Sequence, residues 1–154
     1  MTRTLAIVTA MILVPASVSA SADARYAMHG SSRVRTTKAP VAVDKNYETD
    51  MRARITGDED ARVELTGDGM NCTLKGKRTG DVVALTPGQK CKQHLDRDGV
   101  RGDLLGSLVR GSISINGDKV AMTAYWVFDG NVKFLFSHSD VKGTIESNLK
   151  GKKL

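Results

Sequence analysis

The side chains best able to do chemistry in this 154-residue chain are three histidines, His29, His94 and His138, and two cysteines, Cys72 and Cys91. His138 sits in Ser137-His138-Ser139-Asp140. An imidazole flanked by hydroxyls and a carboxylate has the partners that acid–base or nucleophilic hydrolysis needs. Strand ends and turns are built from the same residue types, however, and no nucleophile motif surrounds it. His94 has no signature around it, and His29 lies in a small, polar, basic stretch. The carboxylates occupy turn-like contexts: Asp58, Asp60, Asp68, Asp81, Asp98, Asp118 and Asp129. Aspartate favours turns because its side chain bonds its own backbone. Gly57-Asp58-Glu59-Asp60 lacks the spaced ligands and closing glutamate of a calcium loop. No catalytic residue, metal or cofactor is expected, and the chain reads as a non-enzyme.

The cysteines point to a compartment instead. A lone pair in an oxidising space closes a disulfide. Bridging Cys72 to Cys91 would close a loop of about 20 residues, worth roughly 3 kcal/mol in the chain-entropy model. Residues 1–20 agree with export, having Arg3, the apolar run from Leu5 to Val14, Pro15, and the small residues that follow. That is a secretory signal with cleavage expected after Ala20 or Ala22. Its apolar run is about half the roughly 20 residues a bilayer span needs, and no other segment is long enough, so no membrane span is expected. The protein is predicted to be secreted or periplasmic.

The net charge is +6, with aromatics at 5%. A nucleic-acid binder concentrates basic residues among aromatics, and this chain does not, so nucleic acid is not an expected partner. One local cluster stands out, Lys75, Lys77, Arg78, Lys90 and Lys92, on the two segments the disulfide would join. It is a candidate basic patch for an anionic partner.

Residues 21–47 show no sustained period and hold five basic residues against Asp23 and Asp44, so they read as a flexible basic leader. From residue 48 the text alternates. Met51, Ala53 and Ile55 interleave with Arg52, Arg54 and Thr56; Ala61, Val63 and Leu65, then Met70, Cys72 and Leu74, repeat the pattern after Gly/Asp turns. Period-two alternation broken by such turns about every ten residues is the signature of antiparallel strands with one buried face. Short strands follow at Val82–Thr86 and Cys91–Arg97. Val100–Val109, interrupted by Gly102 and Gly106, reads as a bulged strand. Asn116-Gly117 predicts a hairpin, Asp129-Gly130-Asn131 a turn, and Lys119–Phe128 a long strand between them. Val132, Phe134, Phe136 and His138 follow on one face, and a last strand carries Ile145, Ser147 and Leu149.

The expected fold is all-β over residues 48–154, a meander of about eight to ten strands closed as a small barrel, with a two-sheet sandwich as the alternative. Trp126, Phe128, Phe134 and Phe136 are either core or the lining of a ligand cavity.

A signal peptide, a small all-β domain and one disulfide in its first half resemble small secreted β-barrels of the lipocalin-like type, and bacterial periplasmic inhibitors of metalloproteases. The phrase Cys72-Thr73-Leu74, Thr79-Gly80-Asp81 and Pro87-Gly88-Gln89-Lys90-Cys91 is similar to exported bacterial β-proteins. The lipocalin Gly-x-Trp is absent, since the only tryptophan is Trp126. The resemblance implies a binding protein of the cell envelope or exterior, holding a small apolar ligand in the barrel. Its other implication is a protein-binding module, such as a protease inhibitor acting through the N-terminal leader.

Overall fold

A computed structural model describes residues 23–154; the expected signal and its cleavage positions lie outside the described residues. Nine antiparallel strands form one sheet: β1 (Ala24–Lys38), β2 (Asp44–Thr56), β3 (Asp60–Gly67), β4 (Met70–Thr79), β5 (Val82–Leu85), β6 (Lys90–Arg97), β7 (Val100–Asn116), β8 (Lys119–Phe134) and β9 (Ser137–Lys153). The strands pair in the order β3-β2-β1-β9-β8-β7-β5-β4-β6, and further pairings of β3 with β4 and of β6 with β7 complete a ring of hydrogen bonds. The sheet closes on itself, so the sandwich alternative does not hold.

Although there are nine strands, the ring has eight positions. β5 and β6 run in the same direction between β4 and β7, β5 along one half and β6 along the other. Thr86–Gln89 interrupt what would otherwise be one strand. An even number of positions is what an antiparallel ring requires to close.

Alternation sets the inside. Val63, Leu65, Leu74, Val83, Leu108, Ile113, Trp126 and Leu149 are buried, and the residues between them face water. The apolar side chains fall into a large cluster around Trp126 and a smaller one of Leu104, Phe128, Val132 and Val141, with Ile145 touching both. Within the wall Thr49 donates to the Ser32 hydroxyl at 2.9 Å, and Ser32 bonds Ser147 at 2.8 Å. These buried hydroxyls on β2, β1 and β9 satisfy one another, as buried polar groups must. An apolar interior with charged outward positions is the reverse of a membrane-spanning barrel, whose apolar band faces outward. No helix among the described residues is long and apolar enough to cross a membrane.

Residues 24–38 correct the leader expected over 21–47. They form β1, bonded along its length to β2 and to β9. Ala24, Tyr26 and Met28 point inward, but the next inward positions are Gly30 and Ser32, so the apolar alternation fades after one turn of pattern. A β-carbon on Gly30 would fall 2.0 Å from the Asn148 carbonyl oxygen, so only glycine fits between β1 and β9. The same physics corrects the turn expected at Asp129-Gly130-Asn131, which lies inside β8. A β-carbon on Gly130 would meet the Asp103 carbonyl oxygen at 2.4 Å. That glycine marks a close strand approach, not a reversal. The real reversal is Leu135-Phe136, between Phe134 and Ser137.

β7 runs through as a single strand whose register shifts between Leu108 and Arg110, so the expected bulge falls at Val109. The hairpin at Asn116-Gly117 forms with its register one residue later: Asn116 pairs with Lys119, and Gly117, at φ 59°, is the first turn residue.

Candidate functional site

The disulfide joins Cys72 of β4 to Cys91 of β6, with α-carbons 5.5 Å apart. It crosses the weakest seam of the ring, where β4 and β6 share only the Met70–Gln93 register pair. Gln89 fills part of the gap. Its Oε1 accepts from the Lys75 backbone N–H at 2.6 Å, and its Nε2 donates to the carbonyls of Lys75 and Thr86 at 2.8 and 2.7 Å. The side chain imitates a strand where the backbone has forked. Such a bridge is compatible with an oxidising compartment.

The structure only half assembles the basic patch expected from Lys75, Lys77, Arg78, Lys90 and Lys92. Lys75, Lys90 and Lys92 are exposed on strands flanking the seam. Lys77 is tied to Asp60, which raises the lysine's pKa. Arg78 is half-buried and donates to the Gly80 carbonyl at 3.2 Å.

The four aromatic residues separate. Trp126 is packed in the larger cluster, its ring 3.5 Å from where a β-carbon on Gly106 would stand, with the Cys91 carbonyl beside it. Phe128 belongs to the smaller cluster. Phe134 and Phe136 are neither core nor cavity lining, because the chain turns between them and carries both to the rim.

Each histidine is exposed and bonds one polar neighbour. His29 Nδ1 lies 2.7 Å from Asp50, His94 Nδ1 lies 3.0 Å from Asp103, and His138 Nδ1 lies 3.2 Å from the Asn131 amide oxygen. None of these contacts joins an imidazole to a hydroxyl or thiol. The Asp50 carboxylate holds the His29 pKa above its ordinary value by hydrogen bond and charge.

Two shallow, open depressions lie on the outside of β7, β8 and β9. One, of about 430 Å³, is lined by Ser114, Asn116, Lys119, Ala121, Lys150 and Lys152, with Val120 and Gly151 in its floor. Lys119 and Lys152 are direct register partners, and Lys150 stands beside Ala121 in the next row. The following rows hold a second depression of about 260 Å³, whose lining includes Ser112, Thr123, Asn148, Tyr125 and Glu146. There the Arg110 guanidinium caps the Tyr125 ring at 4.5 Å.

Like charges directly opposite on neighbouring strands repel. None of Lys119, Lys150 and Lys152 takes part in an ion pair among the described residues, and no acidic residue lines the depression they share. Together they form a positive cleft. Sequence reading misses this group because its members come from positions 119, 150 and 152, which only the β8–β9 register makes adjacent. The available signal was the weakly polar outer face of Ala121, Thr123 and Tyr125, where small residues leave room between long ones. No family model matches the sequence, and no curated protein matches it.

Proposed function

We propose that the protein is an exported, non-enzymatic binding protein of the cell envelope or exterior that takes an anionic ligand on the outside of β7–β8–β9. One observation carries this reading: Lys119 and Lys152 face each other, with Lys150 beside them, around a depression lined by no acid. A phosphate- or carboxylate-bearing ligand would relieve their mutual repulsion. Ser114 and Asn116 offer hydroxyl and amide groups beside the charge. Small floor residues let a ligand approach the backbone. Export is supported by the disulfide and by the apolar run expected to act as a signal.

The barrel interior is a poorer candidate for an apolar ligand. Trp126, the residue expected to line such a space, is 3% exposed and packed among Leu108, Ala124 and their neighbours. The inhibitor reading needs a free N-terminal arm, and from Ala24 onward that arm is a strand bonded on both sides.

The test is a titration with inorganic pyrophosphate and with a short poly-glutamate peptide, followed by amide chemical shifts. Shifts are expected at residues 114–121 and 148–152 and are expected to vanish in a Lys119→Gln/Lys150→Gln/Lys152→Gln variant. Shifts centred on Lys75, Lys90 and Lys92 would move the site to the disulfide seam, and no shifts with either probe would end the anion reading.

A further inference from the structure

Three two-residue turns close hairpins at one end of the ring, and they differ in a telling way. Asp68-Gly69 joins β3 to β4, and Asp98-Gly99 joins β6 to β7. Both have positive φ at each residue, 48° and 77°, then 54° and 78°. Asp-Gly is the expected chemistry for such a turn. The third, Leu135-Phe136 between β8 and β9, puts a leucine at φ 55°, a conformation that costs a side-chain-bearing residue energy. It also leaves Leu135 71% and Phe136 97% exposed, with Phe134 at 38%. Neither turn formation nor core packing accounts for these residues.

The surroundings indicate what covers the tip. Directly behind it Arg101, Lys133 and His138 form one cross-strand row. Arg101 is paired with Asp96 at 3.1 Å, while Lys133 takes part in no ion pair among the described residues. The acids Asp103 and Asp140 stand one pleat further back, roughly 7 Å from that row along the strands, while Asp98 lies beside the tip in the neighbouring β6–β7 turn and takes part in no ion pair among the described residues. The same end carries a second apolar point, Val41 in the β1–β2 loop, 64% exposed. It is flanked by Lys38 and Lys45, neither of them in an ion pair among the described residues. Apolar side chains projecting ahead of unpaired cations match the layering of an anionic bilayer surface, with acyl chains beneath charged headgroups. A second protein is a poorer fit, since a stable pair buries about 1,200–2,000 Å² in total and this tip offers three side chains.

We infer that the Phe134–Leu135–Phe136 tip inserts into the interface of an anionic lipid bilayer, docking the protein by this end of the ring. β8 links the tip to the lysine cleft, which lies roughly 50 Å away along the strand from Phe134 to Lys119. A docked molecule therefore holds the cleft away from the lipid. The inference stands apart from the anion reading, because it uses different residues at the opposite end.

The test is co-sedimentation of the mature protein with vesicles of phosphatidylcholine containing one-third phosphatidylglycerol, and with phosphatidylcholine alone. Binding is expected to the anionic vesicles and to be weaker on the neutral ones. Leu135→Asp/Phe136→Gly should lower the partition coefficient by about tenfold or more. That variant installs the turn used by the neighbouring hairpins, so its melting temperature should equal or exceed that of the parent. Absence of binding to anionic vesicles by the parent protein would overturn the inference. So would binding that survives in the tip variant but is lost in Lys119→Gln/Lys150→Gln/Lys152→Gln, which would transfer lipid contact to the cleft. A parent protein that is dimeric by light scattering, with a monomeric tip variant, would also overturn it by assigning the tip to a second copy.

Discussion

The two flanks of the ring are built by different means. From β7 through β8, β9 and β1 to β2 the strands are long, 13 to 17 residues each, and their ladders run nearly unbroken. From β3 to β6 they are short, 4 to 10 residues, and the ladder forks at Thr86–Gln89. The long flank is held by backbone pairing and carries both candidate binding surfaces. The short flank has ladders of its own between β3 and β4 and between β6 and β7, and a covalent bridge and one glutamine close the fork between β4 and β6. Where the ladder is continuous, the outer face is free to take residues that add nothing to the fold. Where it is broken, side chains are committed to closing it.

The strongest way to break that contrast is at the residue that joins the flanks. Trp126 rises from β8 and lies over Gly106 beside Cys91. Trp126→Ala should cost about 3–5 kcal/mol by urea unfolding, the range for removing a buried large aromatic. Amides of both flanks should lose protection together. A loss below about 1 kcal/mol, outside the range for such a cavity, would mean that the flanks are stabilised separately.

Next in size is the bridge. The Cys72→Ala/Cys91→Ala pair should lower stability by roughly 3 kcal/mol, and the early-exchanging amides should map to β4, β5 and β6. If β8 and β9 open as readily, the short flank is not the local weak point. Gln89→Ala should follow at about 0.5–1.5 kcal/mol, because the Lys75 N–H and two carbonyls lose a side-chain partner at an exposed site. Since glutamine and disulfide close the same gap, their effects should be non-additive in a double-mutant cycle. Simple additivity would show that they act independently.

The two flanks also differed in how far they could be read from residues. The short flank was legible: Ala61, Val63 and Leu65, then Met70, Cys72 and Leu74, alternate cleanly between Gly/Asp turns, and the Cys72–Cys91 bridge forms as expected. The long flank was legible in β2, β7, the first part of β8 and β9, but not in β1 or at the β8–β9 reversal. β1 escaped because Gly30 and Ser32 occupy its inward positions, so tight strand approach and a hydroxyl network replace the apolar signal. Gly130 looked like a turn for the same reason. The true reversal at Leu135-Phe136 carries none of the residues that mark turns. Local pattern and fold disagree most at that hairpin, as expected where a segment serves something besides folding. The grouping of Lys119, Lys150 and Lys152 exists only through register, so of that site only the weakly polar outer face of β8 was legible.

The smallest effect tests whether surface charge matters to the long flank. His29 on β1 faces Asp50 on β2, and both are exposed. The Asp50 hydrogen bond and charge raise the His29 pKa above its ordinary value of 6.5. A raised folded-state value means that the pair favours the fold below about pH 6.5, and that this contribution is lost as pH rises through the folded value. In Asp50→Asn the His29 titration, followed by ring proton shifts, should move back toward 6.5. The urea midpoint at pH 5.5 should meanwhile stay close to that of the parent, because exposed pairs are strongly screened. If the midpoint falls as far as it does for Gln89→Ala, the long flank depends on its outer ion pairs as well as its ladders. Its outer face would then be part of the fold's support and not surface left free for binding.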